Sequence, residues 1–494
     1  MKDLKEKTIR GGVARICAQA IVFTTRIGAL MILARLLDPK DFGLVGMVTA
    51  FSSVFFLFRD FGLSTATIQR VDITDEQIST LFWINLLVGA ILTVLLSALA
   101  PLVVRFYHEP RLFWVTIALA IGFVINAAGV QHSAILQREL RFTDLAIIQI
   151  IALVLSTVVG IGMALLGCGY WSLVGLSLTL PLVSTIAFWM ATSWLPGRPR
   201  KTVGIRSMLH FGGSVTLISL IVYVAYNLDK VLVGRFWGAG ALGIYGRSFQ
   251  IISIPTDNLN TAVGEVAFSA LSRLQGDPMR LRSYFLKGYS LVLALTVPMT
   301  CIIGVFPHDL VMLILGSKWS AAARILQFLA PTILIFAVIN PLGWFLFAIG
   351  MVKRALRVAL VLAPVVIAGY SLGLPYGSNG VALGFSAAMT LWVLPHIAWG
   401  VHGTPISFGD VMMAMIGPLL SGAVAVALAL VIQLLCSQWL PLFRLILGVT
   451  SLLVAYSGML LYGMGLKPFY MNLLRGFLKR PPVEVDQPVL TQEA

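Results

Sequence analysis

Arg15, Gln19 and Arg26 interrupt one long apolar run, and Tyr223, Tyr226, Asn227, Asp229 and Lys230 interrupt another. At about 100° per residue, Arg15, Gln19 and Arg26 fall within roughly 40° of one another on a helix. Thr216, Ser219, Tyr223, Tyr226, Asn227 and Lys230 cluster within about 100° on theirs, and Asp229 points away from that stripe. A charge held at mid-membrane costs about 2.5–3.5 kcal/mol on insertion scales, so it faces water or a partner rather than lipid. Cations and hydroxyls lining such a path suit the binding and release of an anion rich in hydrogen-bonding groups. No paired-carboxylate, Ser–His or metal-ligand spacing accompanies them, so no catalytic residue, metal or other cofactor is expected.

These residues also have plainer structural uses. Arg26 could neutralise a buried acid such as Asp229, and Arg15 could extend its charge to the headgroups. Arg59-Asp60 and Glu265 lie near the ends of the second and eighth apolar runs, and they read as packing or gate ion pairs rather than ligands. Asp229 and Asp257 are the carboxylates that a cation-coupled carrier could use. Cys17, Cys168, Cys301 and Cys436 are scattered and show neither metal nor disulfide spacing.

The elements that position these side chains follow from composition. Of the 494 residues 59% are hydrophobic and only 11% charged, with a mean hydropathy of +0.94; a soluble chain carries about 25% charged residues. The apolar runs are each near the ~20 residues that a helix needs to cross a bilayer, and they lack the short alternation of a barrel. Fourteen spans are predicted, at 12–36, 42–63, 78–100, 112–133, 144–167, 170–193, 207–236, 241–262, 284–306, 323–349, 354–374, 379–401, 411–435 and 439–465. The chain is therefore read as an all-α integral membrane protein. The first run is too long and too charged for a cleaved leader.

An even number of spans puts both ends on one side. The connections there carry twenty-two Lys and Arg residues, against eight on the other, which makes both termini cytoplasmic. The net charge of +15 thus reflects topology, because the basic residues are spread over many short loops, and a nucleic-acid partner is not expected.

The stretch from Ala34 to Gly46 recurs 200 residues later from Gly234 to Gly246, with Arg35 on Arg235, Gly43 on Gly243 and Gly46 on Gly246. Six spans lie in one copy, so the repeat is parallel, about an axis along the membrane normal. Two six-helix lobes are expected at 1–200 and 201–405, then two extra spans at 406–466 and a short cytoplasmic tail at 467–494. The substrate path is expected in the cleft between lobes, walled by the first helix of each.

The run Asn227-Leu228-Asp229-Lys230-Val231-Leu232-Val233-Gly234-Arg235-Phe236, followed by Gly243-Ile244-Tyr245, resembles the seventh-span signature of bacterial Wzx-type polysaccharide flippases. So do the runs from Ala34 to Gly43, from Asp60 to Leu63 and from Ala134 to Phe142. These flippases belong to the multidrug, oligosaccharidyl-lipid and polysaccharide exporter superfamily, and the closest-looking subgroup exports exopolysaccharide or colanic-acid-like units. The resemblance implies translocation of an undecaprenyl-diphosphate-linked oligosaccharide from the cytoplasmic to the periplasmic leaflet of the bacterial inner membrane. It also implies membrane lipid, and a polysaccharide polymerase or export machinery, as partners. Alternating access by rocking lobes, with Arg26 and Lys230 attracting the diphosphate, is the expected mechanism. A peptidoglycan-precursor flippase and a cation-coupled multidrug exporter are the alternatives; a membrane-embedded polymerase or ligase would need a large loop that this chain lacks.

Overall fold

The computed structural model describes residues 2–56, 58, 59, 64, 67, 68, 73–199, 205–436 and 439–471. Within those helices the side chains of 2–18, 205–222, 224, 225, 258, 261, 262, 265 and 266 are outside the description. Every regular element among the described residues is a helix. In chain order they are α1 (Lys2–Leu36), α2 (Pro39–Phe56), α3 (Asp75–Tyr107), α4 (Leu112–Arg138), α5 (Phe142–Leu165) and α6 (Trp171–Thr192). The stretch Ile205–Arg273 breaks at Gly238 into α7 (205–237) and α8 (239–273). There follow α9 (Pro278–Val305), α10 (Pro307–Ile314), α11 (Ala322–Leu329), α12 (Pro331–Ala348), α13 (Val352–Gly373), α14 (Gly377–Val401), α15 (Phe408–Leu435) and α16 (Pro441–Gly458).

The chain is a multi-pass membrane protein. Ten helical stretches among the described residues are long and apolar enough to cross a bilayer; one of them, Val352–Val401, holds both α13 and α14. In their described parts the predicted runs fall on helix, but the boundaries differ; residues 57 and 60–63 of the second run lie outside the described residues. Helices α3 and α8 continue beyond the predicted runs, to Tyr107 and Arg273. The 323–349 run is two helices, because Pro331 has no N–H to donate and so begins α12 rather than continuing α11. Pro255, Pro298, Pro341 and Pro364 do lie inside helices.

Local sequence explains where helices start and turn. Thr74 accepts from the Gln77 N–H while the Gln77 side chain accepts from the Thr74 N–H, closing the first turn of α3. Ser407 and Asp410 do the same for α15. The turn into α2 is Asp38-Pro39, with the Asp38 N–H donating to the Asp41 carboxylate. Its counterpart in the repeat is Gly238, whose φ of 79° is accessible to glycine at little cost.

The two copies pack alike. In the first, α4 lies against α3 and α6, α5 against α6, and α1 against α5. In the second, α12 lies against α9 and α14, α13 against α14, and the Ile205–Arg273 stretch against α13. Helices α15 and α16 pack on each other and on α9. Contact between the copies is made chiefly by α2 on the Ile205–Arg273 stretch, and the core there mixes Leu44, Met47 and Val48 with Leu242, Tyr245 and Trp319.

Candidate functional site: a cavity between the two halves

Where α2 crosses the α7–α8 break, glycines let backbones touch. A Cβ built on Gly43 would lie 1.7 Å from the Ala239 carbonyl oxygen, and one on Gly243 would lie 1.8 Å from that of Pro39. Both pairs are related by the same 200-residue offset as the repeat. This crossing brings α2 into the seam and leaves α1 against α5.

Beside the crossing lies a cavity of about 450 Å³. Its wall from the first half is α2, through Phe42, Gly46, Thr49, Ala50 and Ser53; no described α1 residue lines it. The second half supplies Tyr223, Asn227 and Lys230 from α7, with Arg247, Gln250 and Asp257 among those from α8. Tyr223 and Ser53 line the cavity from opposite halves. The Lys230 ammonium donates to Asn227 Oδ1 at 2.6 Å and stands 4.8 Å from the Phe249 ring centre. Asn227 in turn donates to the Tyr223 carbonyl at 3.0 Å, so its amide is oriented with the oxygen toward the ammonium.

Arg247 is a second cation on this cavity, and the stripes on α1 and α7 give no sign of it. Its guanidinium lies 4.6 Å from the Phe42 ring centre and donates to Gln250 Oε1, and its Nε is buried with no partner. The available signal was an arginine inside the predicted 241–262 span, where a charge is costly. Lys230 and Arg247 together give the seam two donors of positive charge in a place of low dielectric, where charge-assisted hydrogen bonds to an anion are strong.

The other expected residues fall elsewhere. Asp229 is fully buried away from the cavity, accepting from the Tyr245 hydroxyl at 2.7 Å. Tyr226 lines a second cavity, formed within the second half, and Lys230 borders both. Arg26 is exposed on α1 and forms no ion pair among the described residues; Gln19 is exposed as well. Arg59 sits 3.9 Å from the Phe56 ring centre and lines a small cavity in the first half with Asn126, to which it donates at 3.4 Å. The Arg15 and Glu265 side chains, and Asp60, lie outside the described residues.

One end of the seam is shut. Trp319, wholly buried, donates from Nε1 to the Ala34 carbonyl at 2.8 Å and meets Phe42 edge-on. Arg35 donates to the Leu313 carbonyl at 3.0 Å, and Lys318 pairs with Asp38 at 2.8 Å. Nearby, the Arg111 guanidinium holds the Glu109 carboxyl below the usual carboxylate range. Arg444 closes a bidentate pair on the buried Asp309, tying α16 to α10 at the same end.

Comparisons with known proteins agree with this architecture. A family described as polysaccharide biosynthesis protein matches residues 32–324. The lipopolysaccharide biosynthesis protein WzxC of Escherichia coli K12 is 26% identical over 93% of this chain and 89% of its own. The teichuronic acid biosynthesis protein TuaB of Bacillus subtilis 168 is 31% identical over 60% of this chain and 62% of its own. Among solved structures, the lipid II flippase MurJ in an inward closed conformation superposes with a TM-score of 0.68, covering 94% of this chain and 100% of that one at 15% identity. That likeness is one of fold.

Proposed function

Since this chain belongs to the polysaccharide biosynthesis protein family, we propose that it is a flippase for undecaprenyl-diphosphate-linked oligosaccharides. On this reading it moves repeat units from the cytoplasmic to the periplasmic leaflet of a bacterial inner membrane. The observation that carries it is the pair of cations, Lys230 and Arg247, on a hydroxyl- and amide-lined cavity between two repeated halves. A diphosphate moved through a low-dielectric seam needs cationic partners, and sugars can exchange water for Ser, Thr, Asn and Gln groups. A cavity shut at one end and bounded by two packed helix sets supports alternating access by rocking of lobes 1–200 and 201–405. The pair 406–466 rides on the second lobe, and the 467–494 tail lies with the N-terminus in the cytoplasm, as the positive-inside bias favours. Asp229, buried behind the seam on the Tyr245 hydroxyl, supports the path rather than lining it.

The test is flipping of a labelled undecaprenyl-diphosphate oligosaccharide in reconstituted vesicles. Wild type should flip it, and Lys230→Met with Arg247→Met should not, while both proteins elute as folded monodisperse species. Absence of flipping by folded wild type across several glycans would overturn the reading. Flipping retained in the double variant would overturn the cationic path.

A further inference from the structure

The second cavity, about 880 Å³, is within the ~300–1,000 Å³ of ordinary ligand sites, and the proposed reading of the seam leaves it without a use. It shares Asn227, Lys230, Phe249, Ser253 and Asp257 with the cavity between the halves, so the two chambers meet at the Lys230 ammonium. Their linings differ. The seam chamber presents Thr49, Ser53, Arg247 and Gln250, whereas the other is walled chiefly by groups such as Phe336, Ile339, Trp344, Phe347 and Leu356. Its polar members come mostly from α7 and α8, the side next to the ammonium, with Asn340 and His396 added from α12 and α14. It reaches the surface at the α12–α13 turn, where Phe347 and Val352 are 50% and 46% exposed.

We propose that this chamber receives the first isoprene units of a prenyl diphosphate, with the phosphates at Lys230 and the sugar in the seam. The inference rests on the flippase reading. An amphiphile whose charged group is anchored at Lys230 has one apolar and one polar side to place, and the two chambers differ in that respect. Aromatic and aliphatic walls give isoprene surroundings as apolar as the bilayer it leaves, so the units next to the anchored phosphates need not meet water. Bare sugars would leave hydroxyls unpaired against the same walls.

Two glycines make the test selective. A Cβ at Gly343, in the apolar chamber, or at Gly246, in the seam, would meet no atom within 4 Å. Gly343→Leu therefore fills one chamber and Gly246→Leu the other, both within helices that gain from losing a glycine. The probe is farnesyl diphosphate bearing a diazirine on its last isoprene, photolysed on the full chain in nanodiscs and mapped by mass spectrometry. Labelling should fall in 336–362, drop at least tenfold in Gly343→Leu and in a second filler, Ala359→Phe, and persist in Gly246→Leu. Labelling confined to the seam or to the lipid face, or undiminished in both fillers, would overturn the proposal. Wild-type flipping decides the parent reading separately: if it fails while labelling stays in the chamber, only the transport assignment is lost. If it persists in both fillers, the chamber is not on the path.

Discussion

Gly43 rests on the backbone of Ala239, and Gly243, its repeat partner, rests on that of Pro39. The reciprocity means that the two halves touch through one self-complementary crossing, the geometry a two-fold relation demands. Because the contact is backbone on backbone, nothing soft can yield to an added side chain.

Gly43→Val and Gly243→Val should each part the crossing, lower the melting temperature in detergent and abolish transport. Forced overpacking of this kind costs about 1–3 kcal/mol or more. Gly46→Ala is the control, since its Cβ would meet Leu242 at an ordinary 3.5 Å. Equal stability of all three variants would refute the crossing as a tight contact between the halves.

Lys230→Met should reduce flipping at least tenfold, about 1.4 kcal/mol of barrier, with little change in stability. Lys230→Arg should recover part of the rate, since the charge remains beside the Phe249 ring. Initial rates in vesicles measure both, and an unimpaired Lys230→Met would remove Lys230 from the path.

The shut end has strong and weak members. Trp319→Ala should destabilise by about 3–5 kcal/mol, because a wholly buried indole is lost along with its bond to Ala34. Lys318→Ala should cost about 1 kcal/mol or less, since Lys318 and Asp38 are 50% and 67% exposed and screened by solvent. Denaturation monitored by tryptophan emission separates the two, and a larger effect at Lys318 would invert this ranking.

Asp309→Asn should destabilise by about 3–5 kcal/mol by leaving Arg444 without its counter-charge. Adding Arg444→Met to it should recover much of the loss. A double-mutant cycle checks this; additive losses would show that the two side chains act independently.

Much of the fold was legible because a membrane helix writes its own length and apolarity into the chain. The helical segments, the 200-residue repeat and the Asn227–Lys230 stripe all follow from local spacing. Even the sharp break at Gly238 sits where the repeat aligns it with the Asp38-Pro39 turn.

The wall opposite that stripe was a matter of packing. Helical periodicity says which residues share a face but not which helix the face meets, and α1 carries a polar stripe as plausible as that of α7. Among the described residues, the Gly43–Ala239 and Gly243–Pro39 contacts draw α2 into the seam. The place of Arg247 on the seam and the apolar chamber were hidden for a related reason, since a lone arginine and a set of scattered aromatics find their cavities only when α2, α7, α8, α12 and α13 converge. Sequence determined the helices and their symmetry because those depend on neighbours along the chain; the tertiary structure alone decided the cavities, because a cavity is made of residues that only packing brings together.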